Sequence, residues 1–459
     1  MNTSGLWPFV LLMPSDVSKR ISFLQTLFSS PVAIEVLLLF DKGEELCQKE
    51  LINVLKHHSN KTVITILKKL VNLGLLREYQ RVERREKKVV KLKCYRLTEV
   101  GYWYNVFLKN IEILDKSSLR NLVDNIILLL LERLIVVRER VYRNYWEFTE
   151  KVILSLLNSI VKESRRRVEP EVIVFGSIAL DVYLDKKPIV FSGGSGANIA
   201  FNLSKLGLRT SFITKFSTDV LSLRLGVELV DNGIDISLSQ IESGTGTPLC
   251  VIDRWATDEP LIRCLYREEN PPVLDKLNND IISTCSKAKA IYLGEGICKV
   301  YTELLENIDL KNKFVVYRPS ETSLINYFDE CKNILQYNPI LVLNSRKARL
   351  LVEKGVRVPE DLIKLGVEKI VITKGSKGAT IYIGRNSIDI DTRREVNVID
   401  TVGAGDLFTA ILIYNLLKGL EFVDAVKNAC SIASKSVAIL GPRKFSSLSS
   451  NHHIISFIS

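Results

Sequence analysis

The chain has 459 residues, of which 46% are hydrophobic and 25% are charged. This length exceeds a single ordinary core and favours two or three domains, and the composition is that of a soluble globular protein. The short apolar run at residues 6–13 contains Pro8 and has no preceding basic residues, and charged residues break the apolar run at residues 126–131. We therefore expect a cytoplasmic protein with neither a signal peptide nor a membrane span.

The net charge of +11 is concentrated in one part of the chain. Residues 1–170 contain 29 lysines and arginines against 19 acids, whereas residues 171–459 contain 34 against 33. Within residues 51–100 the count is 13 against 4. A basic region joined to a nearly neutral one indicates that only the first contacts a polyanion.

Residues 31–110 are predicted to form three helices, a two-stranded hairpin and a further helix. The predicted bounds are a helix at 31–40 opened by Pro31, helices at 48–55 and 61–73, strands at 76–82 and 89–97, and a helix from Thr98. Gly74 is the expected C-cap of the third helix. The charged segment 83–88 is the expected tip of the hairpin.

This order of elements, with the strings LKKLVNLGLL and YRLTEVG, resembles the winged helix-turn-helix DNA-binding domain of prokaryotic regulators. The resemblance implies that the third helix enters the major groove and that the hairpin contacts phosphates. The residues implied at duplex DNA are Asn60, Lys61, Thr62, Thr65, Arg81, Arg84, Arg85, Lys87 and Lys88. A protein-interaction module with a solvated charged face is the alternative.

A long connecting helix is predicted after the hairpin, because apolar residues recur in steps of 3, 4 and 4. The repeat comprises Val123, Ile126, Leu130, Leu134, Val137, Val141, Tyr145, Phe148, Val152 and Leu156. We expect this seam to form a homodimer that sets two DNA-binding heads on a two-fold site. A helix packed on its own C-terminal domain is the alternative, since further leucines widen the apolar surface.

The expected domains are residues 1–110, a connector at 111–168 and a C-terminal domain at 169–459. The last boundary follows from Arg165-Arg166-Arg167 and Pro170. The eight cysteines show no CxxC pair and no ligand-like spacing with the four histidines. We expect them to be buried reduced thiols.

Two glycine-rich segments in the C-terminal domain each lead into an apolar helix. Residues 191–200 have the sequence FSGGSGANIA, and residues 400–408 have the sequence DTVGAGDLF. Small residues let the backbone approach a ligand, and the amides at a helix N-terminus form an anion site. Asp406 at such a site could take a proton from an attacking hydroxyl. Taken alone, the second segment could also be a glycine turn with an aspartate N-cap.

The two segments together, in this order, resemble the signatures of the ribokinase (PfkB) family of carbohydrate and nucleoside kinases. The resemblance covers about residues 171–445. It implies an α/β fold with a mostly parallel sheet, helices on both faces and a small β lid, which residues 248–266 would supply. Strand patterns at residues 171–175, 290–293, 314–317, 340–343 and 369–373 agree with that architecture.

The family pattern also implies roles for individual residues. Asp406 would be the catalytic base, and Gly403, Ala404 and Gly405 would form the anion hole. The residues implied at a polyhydroxy substrate are Asp181, Gly193, Gly194 and Asn198, and those implied at the nucleotide are Asn344, Thr373, Gly375 and Gly378. ATP and Mg²⁺ are the implied cofactors of an in-line phosphoryl transfer, with no residue assigned as a metal ligand.

Four positions depart from the family pattern. The Asn-x-x-Glu motif that organises the metal reads Asn344-Ser345-Arg346-Lys347, and a frequent Asp-Pro strand end reads Arg318-Pro319. The turn at residues 215–219 lacks its usual glycine, and Cys430 stands where Asn or His is common.

Three hypotheses therefore remain open. The chain is an active small-molecule kinase with a DNA-binding head, a transcriptional regulator that uses a weakly active or inactive kinase fold as a sugar or nucleoside sensor, or a kinase whose N-terminal module only mediates oligomerisation.

Overall fold

The computed structural model describes residues 17–41, 43–85, 88–108, 120, 124, 144–165, 168–185, 187–254, 260–265, 273–392 and 397–443. The chain divides into two compact units, residues 1–141 and 142–459.

The first unit combines five helices with a small antiparallel sheet among its described residues. Its elements are α1 (Val17–Ser29), α2 (Pro31–Leu38), β1 (Leu46–Cys47), α3 (Gln48–Val54), α4 (Asn60–Asn72), β2 (Leu76–Arg85), β3 (Lys88–Leu97) and α5 (Glu99–Leu108). The strand order is β1–β3–β2. The predicted helices and hairpin are present, whereas α1 and β1 had no clear signal in the sequence.

Helix α4 shows why this segment of the first unit is helical. The Ser59 hydroxyl caps it by accepting a hydrogen bond from the Thr62 amide, at 3.1 Å. Apolar residues at helical spacing, among them Val63 and Leu67, are fully buried in the core of the unit. The opposite face of α4 is therefore left to solvent.

The turn before α4 is tied to helix α2 by a small polar cluster. One carboxylate oxygen of Glu35 lies 2.8 Å from Nε2 of His57 and 3.1 Å from Nε2 of His58. These contacts fix the turn that positions the amino end of α4.

The second unit contains the remaining described elements. They are α6 (Tyr145–Glu163), β4 (Val172–Phe175), β5 (Ala179–Tyr183), β6 (Ile189–Gly193), α7 (Ser195–Lys205), β7 (Thr210–Ile213), β8 (Lys215–Ser217), α8 (Val220–Asp231), β9 (Gln240–Glu242), β10 (Leu249–Asp253), β11 (Leu261–Leu265), α9 (Asn279–Lys287), β12 (Ala290–Leu293), α10 (Cys298–Glu306), β13 (Phe314–Tyr317), α11 (Glu321–Asn326), α12 (Phe328–Cys331), β14 (Ile340–Asn344), α13 (Ser345–Glu353), α14 (Glu360–Lys364), β15 (Lys369–Thr373), β16 (Ala379–Ile383), β17 (Asn386–Ile390), α15 (Ala404–Leu417) and α16 (Phe422–Ser436). Two 3-10 helices, Lys332–Tyr337 and Gly375–Lys377, complete the unit.

An eight-stranded sheet forms the centre of the second unit. Its order is β17–β16–β15–β14–β13–β12–β4–β7. The six strands from β15 to β7 are parallel, and β16 pairs antiparallel with both β15 and β17. Residues of β4 alternate between two hydrophobic cores, with Val172 and Val174 in one and Ile173 and Phe175 in the other. Both faces are thus covered, as a parallel sheet requires.

A second, four-stranded sheet has the order β11–β10–β5–β6. Its β10 and β11 come from the segment predicted to form the lid, and β10 pairs in parallel with β5. The glycine-rich segment at residues 191–200 begins in β6 and continues into α7. This sheet therefore holds the first of the two glycine motifs.

The connector prediction lies mainly on residues 111–119, 121–123 and 125–143, which are outside the described residues. Its last part is α6, which buries Ile153, Leu157 and Val161 and packs against α8. In the predicted seam, Leu156 is instead 47% exposed. Helix α6 therefore packs on its own C-terminal unit. That unit begins at residue 142, before the expected domain boundary at residue 169.

The expectation of reduced thiols is wrong for six of the eight cysteines. Disulfides join Cys47 to Cys94, Cys250 to Cys264 and Cys298 to Cys331. The first two pairs lie directly opposite each other on antiparallel strands. Strand register, which sequence spacing does not reveal, places these thiols together. Cys285 and Cys430 are buried free thiols.

Within the described residues, no single helix combines the length and apolarity needed to cross a membrane. One sharply bent pair, Arg20–Leu27 with Pro31–Leu38, meets the length and composition only when the two are joined.

The disulfides lead to a thiol count that can be measured. Denatured, unreduced protein should show two free thiols with Ellman's reagent, and eight after reduction. Because the Cys298–Cys331 bond spans 33 residues, the Cys298→Ser/Cys331→Ser variant should unfold with a free energy about 3–4 kcal/mol lower in urea. Cys430→Ala is the control, since it removes one thiol and no disulfide. Eight thiols in unreduced protein would contradict the three pairings.

Candidate active site

Asp406 lies in the first turn of α15, directly after a tight glycine turn. Gly403 has a φ of +79°, and a Cβ at this position would lie 2.2 Å from the carbonyl oxygen of Pro442. Both the left-handed backbone and the lack of space require glycine here. The turn brings the Asp406 carboxylate to the positive end of the helix dipole.

The side chain of Asp400 fixes the conformation of this turn. Its carboxylate accepts hydrogen bonds from the amides of Val402, at 2.9 Å, and Gly441, at 2.8 Å, and from the Tyr183 hydroxyl, at 3.1 Å. Only 2% of Asp400 is exposed. The first aspartate of the DTVGAGD segment therefore shapes the turn, while the second faces the site.

The Asp406 carboxylate is buried and accepts hydrogen bonds from three side chains. Its Oδ1 lies 2.8 Å from the Ser195 hydroxyl and 2.6 Å from Nη1 of Arg318, and its Oδ2 lies 2.9 Å from Nδ2 of Asn198. Ser195 and Asn198 belong to α7, so the two glycine motifs meet at this carboxylate. The structure thus brings together the predicted residues Asp406 and Asn198.

Arg318 follows the last residue of β13 and forms an ion pair with Asp406. Its Nη1 also donates to the Ser195 hydroxyl, at 2.9 Å. Burial lowers the pKa of Arg318, but the charges and hydrogen bonds of Asp406 and Tyr292 together raise it, so the pKa lies above its ordinary value. Asp406 must exchange this partner before its Oδ1 can accept a proton from a substrate.

Asp181 from β5 lies in the same charged region, 5% exposed. A Cβ on Gly193 would lie 2.0 Å from an Asp181 carboxylate oxygen, so the glycine leaves room for this side chain. Burial and the nearby Asp406 raise the pKa of Asp181 from 3.8 to about 7. Near neutral pH the carboxyl group can therefore donate a hydrogen bond as well as accept one.

Arg443 lies beside Asn198 and was not identified from the sequence. Its Nε lies 3.4 Å from Oδ1 of Asn198, its Nη1 donates to Glu228, and its guanidinium lies 5.0 Å from the centre of the Phe201 ring. The Ser192 hydroxyl donates to the same glutamate. Arg443 follows α16 outside any recognised motif, so only the fold shows its position.

Backbone hydrogen bonds fix the turn where the anion hole is predicted. The Val402 amide donates to Asp400, the Ala404 amide to the Thr401 carbonyl at 3.2 Å, and the Asp406 amide to the Gly403 carbonyl at 3.1 Å. Among the described residues, the Gly403 and Gly405 amides make no such turn bond. The assignment of Gly403, Ala404 and Gly405 to an anion hole stays a prediction.

The predicted nucleotide-binding residues lie at the carboxyl ends of neighbouring parallel strands. Asn344 of β14 is directly opposite Thr373 of β15. The Asn344 side chain caps α13 by accepting a hydrogen bond from the Lys347 amide, at 2.8 Å. Gly375 lies in an open turn with space for a side chain. At Gly378 a Cβ would clash with the Ile390 carbonyl, so packing alone accounts for glycine there. Ligands of open parallel sheets bind at this edge.

The residues around Asp406 do not fit a resident Mg²⁺, which prefers oxygen ligands in octahedral geometry. The Asp406 carboxylate is occupied by Arg318, and Lys347 stands where the family motif has an acid. Across the described ranges, the only convergent group of three His, Cys, Asp or Glu donors is Glu35, His57 and His58, in the first unit. We derive no step through a metal ion here.

The predicted DNA-contacting residues of α4 lie together on its solvent face. Asn60, Lys61, Thr62 and Thr65 are all exposed, and the Thr65 hydroxyl donates to the Lys61 carbonyl at 2.7 Å. Arg81 is half-buried on β2. Lys87 and the side chains of Arg84, Arg85 and Lys88 lie outside the described part of the chain.

Comparison with known proteins gives one consistent result for the second unit. Residues 171–447 match the family model described as pfkB family carbohydrate kinase. The chain is 25% identical over 249 residues to an uncharacterized sugar kinase of Archaeoglobus fulgidus, covering 53% of this chain and 96% of the relative. It is 26% identical over 297 residues to 2-dehydro-3-deoxygluconokinase of Bacillus subtilis, covering 58% and 86%.

The fold agrees with these matches. The structure of ribokinase from Arabidopsis thaliana, complexed with ribose and ATP, superposes with a TM-score of 0.51 and 20% identity, covering 64% of this chain and 99% of that one. The match to the family model spans more than half of the chain and includes both glycine motifs. This chain therefore belongs to the pfkB family of carbohydrate kinases.

Proposed function

We propose that the second unit transfers a phosphoryl group from ATP to a hydroxyl group of a small polyhydroxy compound, such as a sugar, a keto-deoxy sugar acid or a nucleoside. The observation that carries this proposal is the Asp406 carboxylate, held at the amino end of α15 by the two glycine motifs. The names of the relatives, which include a 2-dehydro-3-deoxygluconokinase and a ribokinase with ribose and ATP, support this class of substrate and donor.

In the proposed step, a substrate oxygen forms a bond to the γ-phosphorus of ATP while the bond to the bridging oxygen breaks. ADP leaves with that electron pair, and the substrate proton passes to Asp406. Asp181 and Asn198 would orient the substrate hydroxyls, because their buried polar side chains lie near the Asp406 carboxylate. The Gly403 and Gly405 amides would face the developing charge.

A second candidate function is a transcriptional regulator whose kinase fold senses a sugar or nucleoside with little or no turnover. The ion pair between Arg318 and Asp406 favours it, since the proposed base is occupied in this structure. Turnover and ligand binding distinguish the two candidates.

We further propose that the first unit is a winged-helix module that binds duplex DNA. Its support is the exposed row of polar and basic residues on α4, in the segment that has 13 basic residues against 4 acids. Phosphate contacts of this kind give affinity that depends strongly on salt. The proposal includes a homodimer formed through the connector. The alternative to DNA binding is a first unit that only mediates oligomerisation.

Replacing the proposed base tests the kinase function. Asp406→Asn should lower kcat by about 10²–10⁴-fold, because the amide cannot take the substrate proton. ADP release is followed with a panel of sugars and nucleosides, with Asp424→Asn as the control at an exposed helix position. Equal turnover by Asp406→Asn and wild type would exclude Asp406 as the base. No turnover, with a sugar still raising the melting temperature, would favour the sensor.

The raised pKa of Asp181 predicts a pH-dependent stability. The folded carboxyl keeps its proton up to about pH 7, whereas the unfolded one loses it near 3.8. Stability is therefore lost as pH rises through this window. Between pH 5 and pH 8, wild type should lose about 2–3 kcal/mol relative to Asp181→Asn, measured by urea unfolding. Asp424→Asn, which keeps Asp181, should differ from wild type by the same amount at both pH values. A constant difference between wild type and Asp181→Asn would refute the shift.

The DNA-binding proposal predicts a charge effect localised to α4. Lys61→Glu should weaken binding of duplex DNA by about tenfold or more and reduce the slope of log affinity against log salt by about 1. Lys299→Glu, an exposed charge reversal on α10, is the control. Fluorescence anisotropy across a salt series measures both quantities. Equal losses in the two variants would mean that DNA responds only to total charge.

A further inference from the structure

Two cationic side chains lie at the edge of the sheet where the nucleotide-binding residues are. Arg318 follows β13, and Lys347 lies in the first turn of α13, directly after β14. Because β13 and β14 are parallel neighbours, their carboxyl ends bring both residues to the same edge.

The Arg318 guanidinium lies against the amino end of α15. Its bonds to Asp406 and Ser195 are both made by Nη1. Its Nη2 lies 2.8 Å from the point where a Cβ on Gly405 would stand. The guanidinium therefore lies close to Gly405 at the amino end of α15, where the helix dipole favours an anion.

Lys347 lacks a carboxylate partner among the described residues, since none lies within 4.0 Å of its ammonium group. Burial and the Arg318 charge lower the pKa of Lys347 to about 7, against smaller opposing effects of Glu321, Asp406 and Glu295. A half-buried ammonium group without a carboxylate partner is costly until an anion pairs with it. The position therefore favours entry of an anionic group.

We propose that Arg318 and Lys347 bind the phosphate groups of the nucleotide directly and take the place of the divalent cation, so that the chain binds metal-free ATP. A guanidinium can hold phosphate oxygens through two parallel hydrogen bonds, and an ammonium supplies a second positive charge. Together they provide the charge neutralisation that a metal ion otherwise gives to phosphoryl transfer. A Mg²⁺ ion carried in on ATP would be repelled by both side chains.

The proposal rests on the proposed nucleotide site and adds a role for the ion pair in that site. A phosphate group that binds Arg318 competes with Asp406 for the same guanidinium. Binding of the nucleotide would thus release Oδ1 of Asp406 to accept the substrate hydroxyl. Asp406 then becomes available only when the phosphoryl donor is present.

Calorimetric titration of ATP, in EDTA and in Mg²⁺, tests the proposal without turnover. Wild type should bind ATP in EDTA at least as tightly as in Mg²⁺. Lys347→Gln should weaken binding of metal-free ATP by about tenfold, and Lys347→Glu should bind ATP better with Mg²⁺ than without it. Arg349→Gln, an exposed charge removal on the same helix, is the matched control and should behave as wild type.

Binding by wild type only in Mg²⁺, or equal affinities of Lys347→Gln and wild type in EDTA, would overturn the proposal. ADP release in the same buffers separates it from the proposed function. Metal-free binding without phosphorylation of any substrate would support the anion site and refute the kinase function. Phosphorylation together with ATP binding only in Mg²⁺ would support the kinase function and refute the metal-free anion site. Failure to bind ATP in either buffer would overturn both the anion site and the kinase function.

Discussion

The site depends on the need to balance the charge of a buried carboxylate. Asp406 is only 7% exposed, and an ionised group at that depth is stable only with hydrogen bonds and a counter-charge. Ser195, Asn198 and Arg318 provide them from three directions. Asp181 lacks comparable compensation among the described residues, and its burial together with the nearby Asp406 carboxylate raises its pKa to about 7. Charge, more than shape, thus determines which protonation states the site can hold.

The architecture serves this balance by bringing distant residues to one edge. Parallel strands β14 and β15 end at Asn344 and Thr373, and Arg318 directly follows the end of their neighbour β13. The two glycine motifs meet at Asp406, which is bonded to Arg318. Asp400 and Gly403 set the turn that aims Asp406. A rigid sheet supplies the positions, and short turns supply the functional groups.

Much of this was predictable from the sequence because the signals are local. Strands at residues 290–293, 314–317 and 369–373 have the predicted bounds, since a buried strand is a continuous apolar run closed by polar residues. Asp406 and Asn198 were identified because each belongs to a contiguous motif. The residue types at positions 318 and 347 were visible as departures from the family pattern.

Features set by long-range geometry were not predictable. Arg443 reaches Asn198 across 245 residues, and no local pattern marks it. The disulfides depend on strand register, which fixes Cys47 opposite Cys94. The apolar periodicity predicted the helix α6 but not which of its faces is buried. Several faces of α6 carry apolar residues, and contact with the neighbouring α8 determines which face packs.

The packing of α6 on α8 links the connector to the site. Leu157 of α6 lies beside Gly226 of α8, where an added Cβ would be 3.8 Å from the leucine side chain. Two residues further along α8, Glu228 accepts a hydrogen bond from Arg443, which bonds Asn198. Asn198 in turn bonds Asp406. Within the second unit, α6 is thus joined to the Asp406 carboxylate through α8, Glu228, Arg443 and Asn198, so a displacement of α6 would reach that carboxylate.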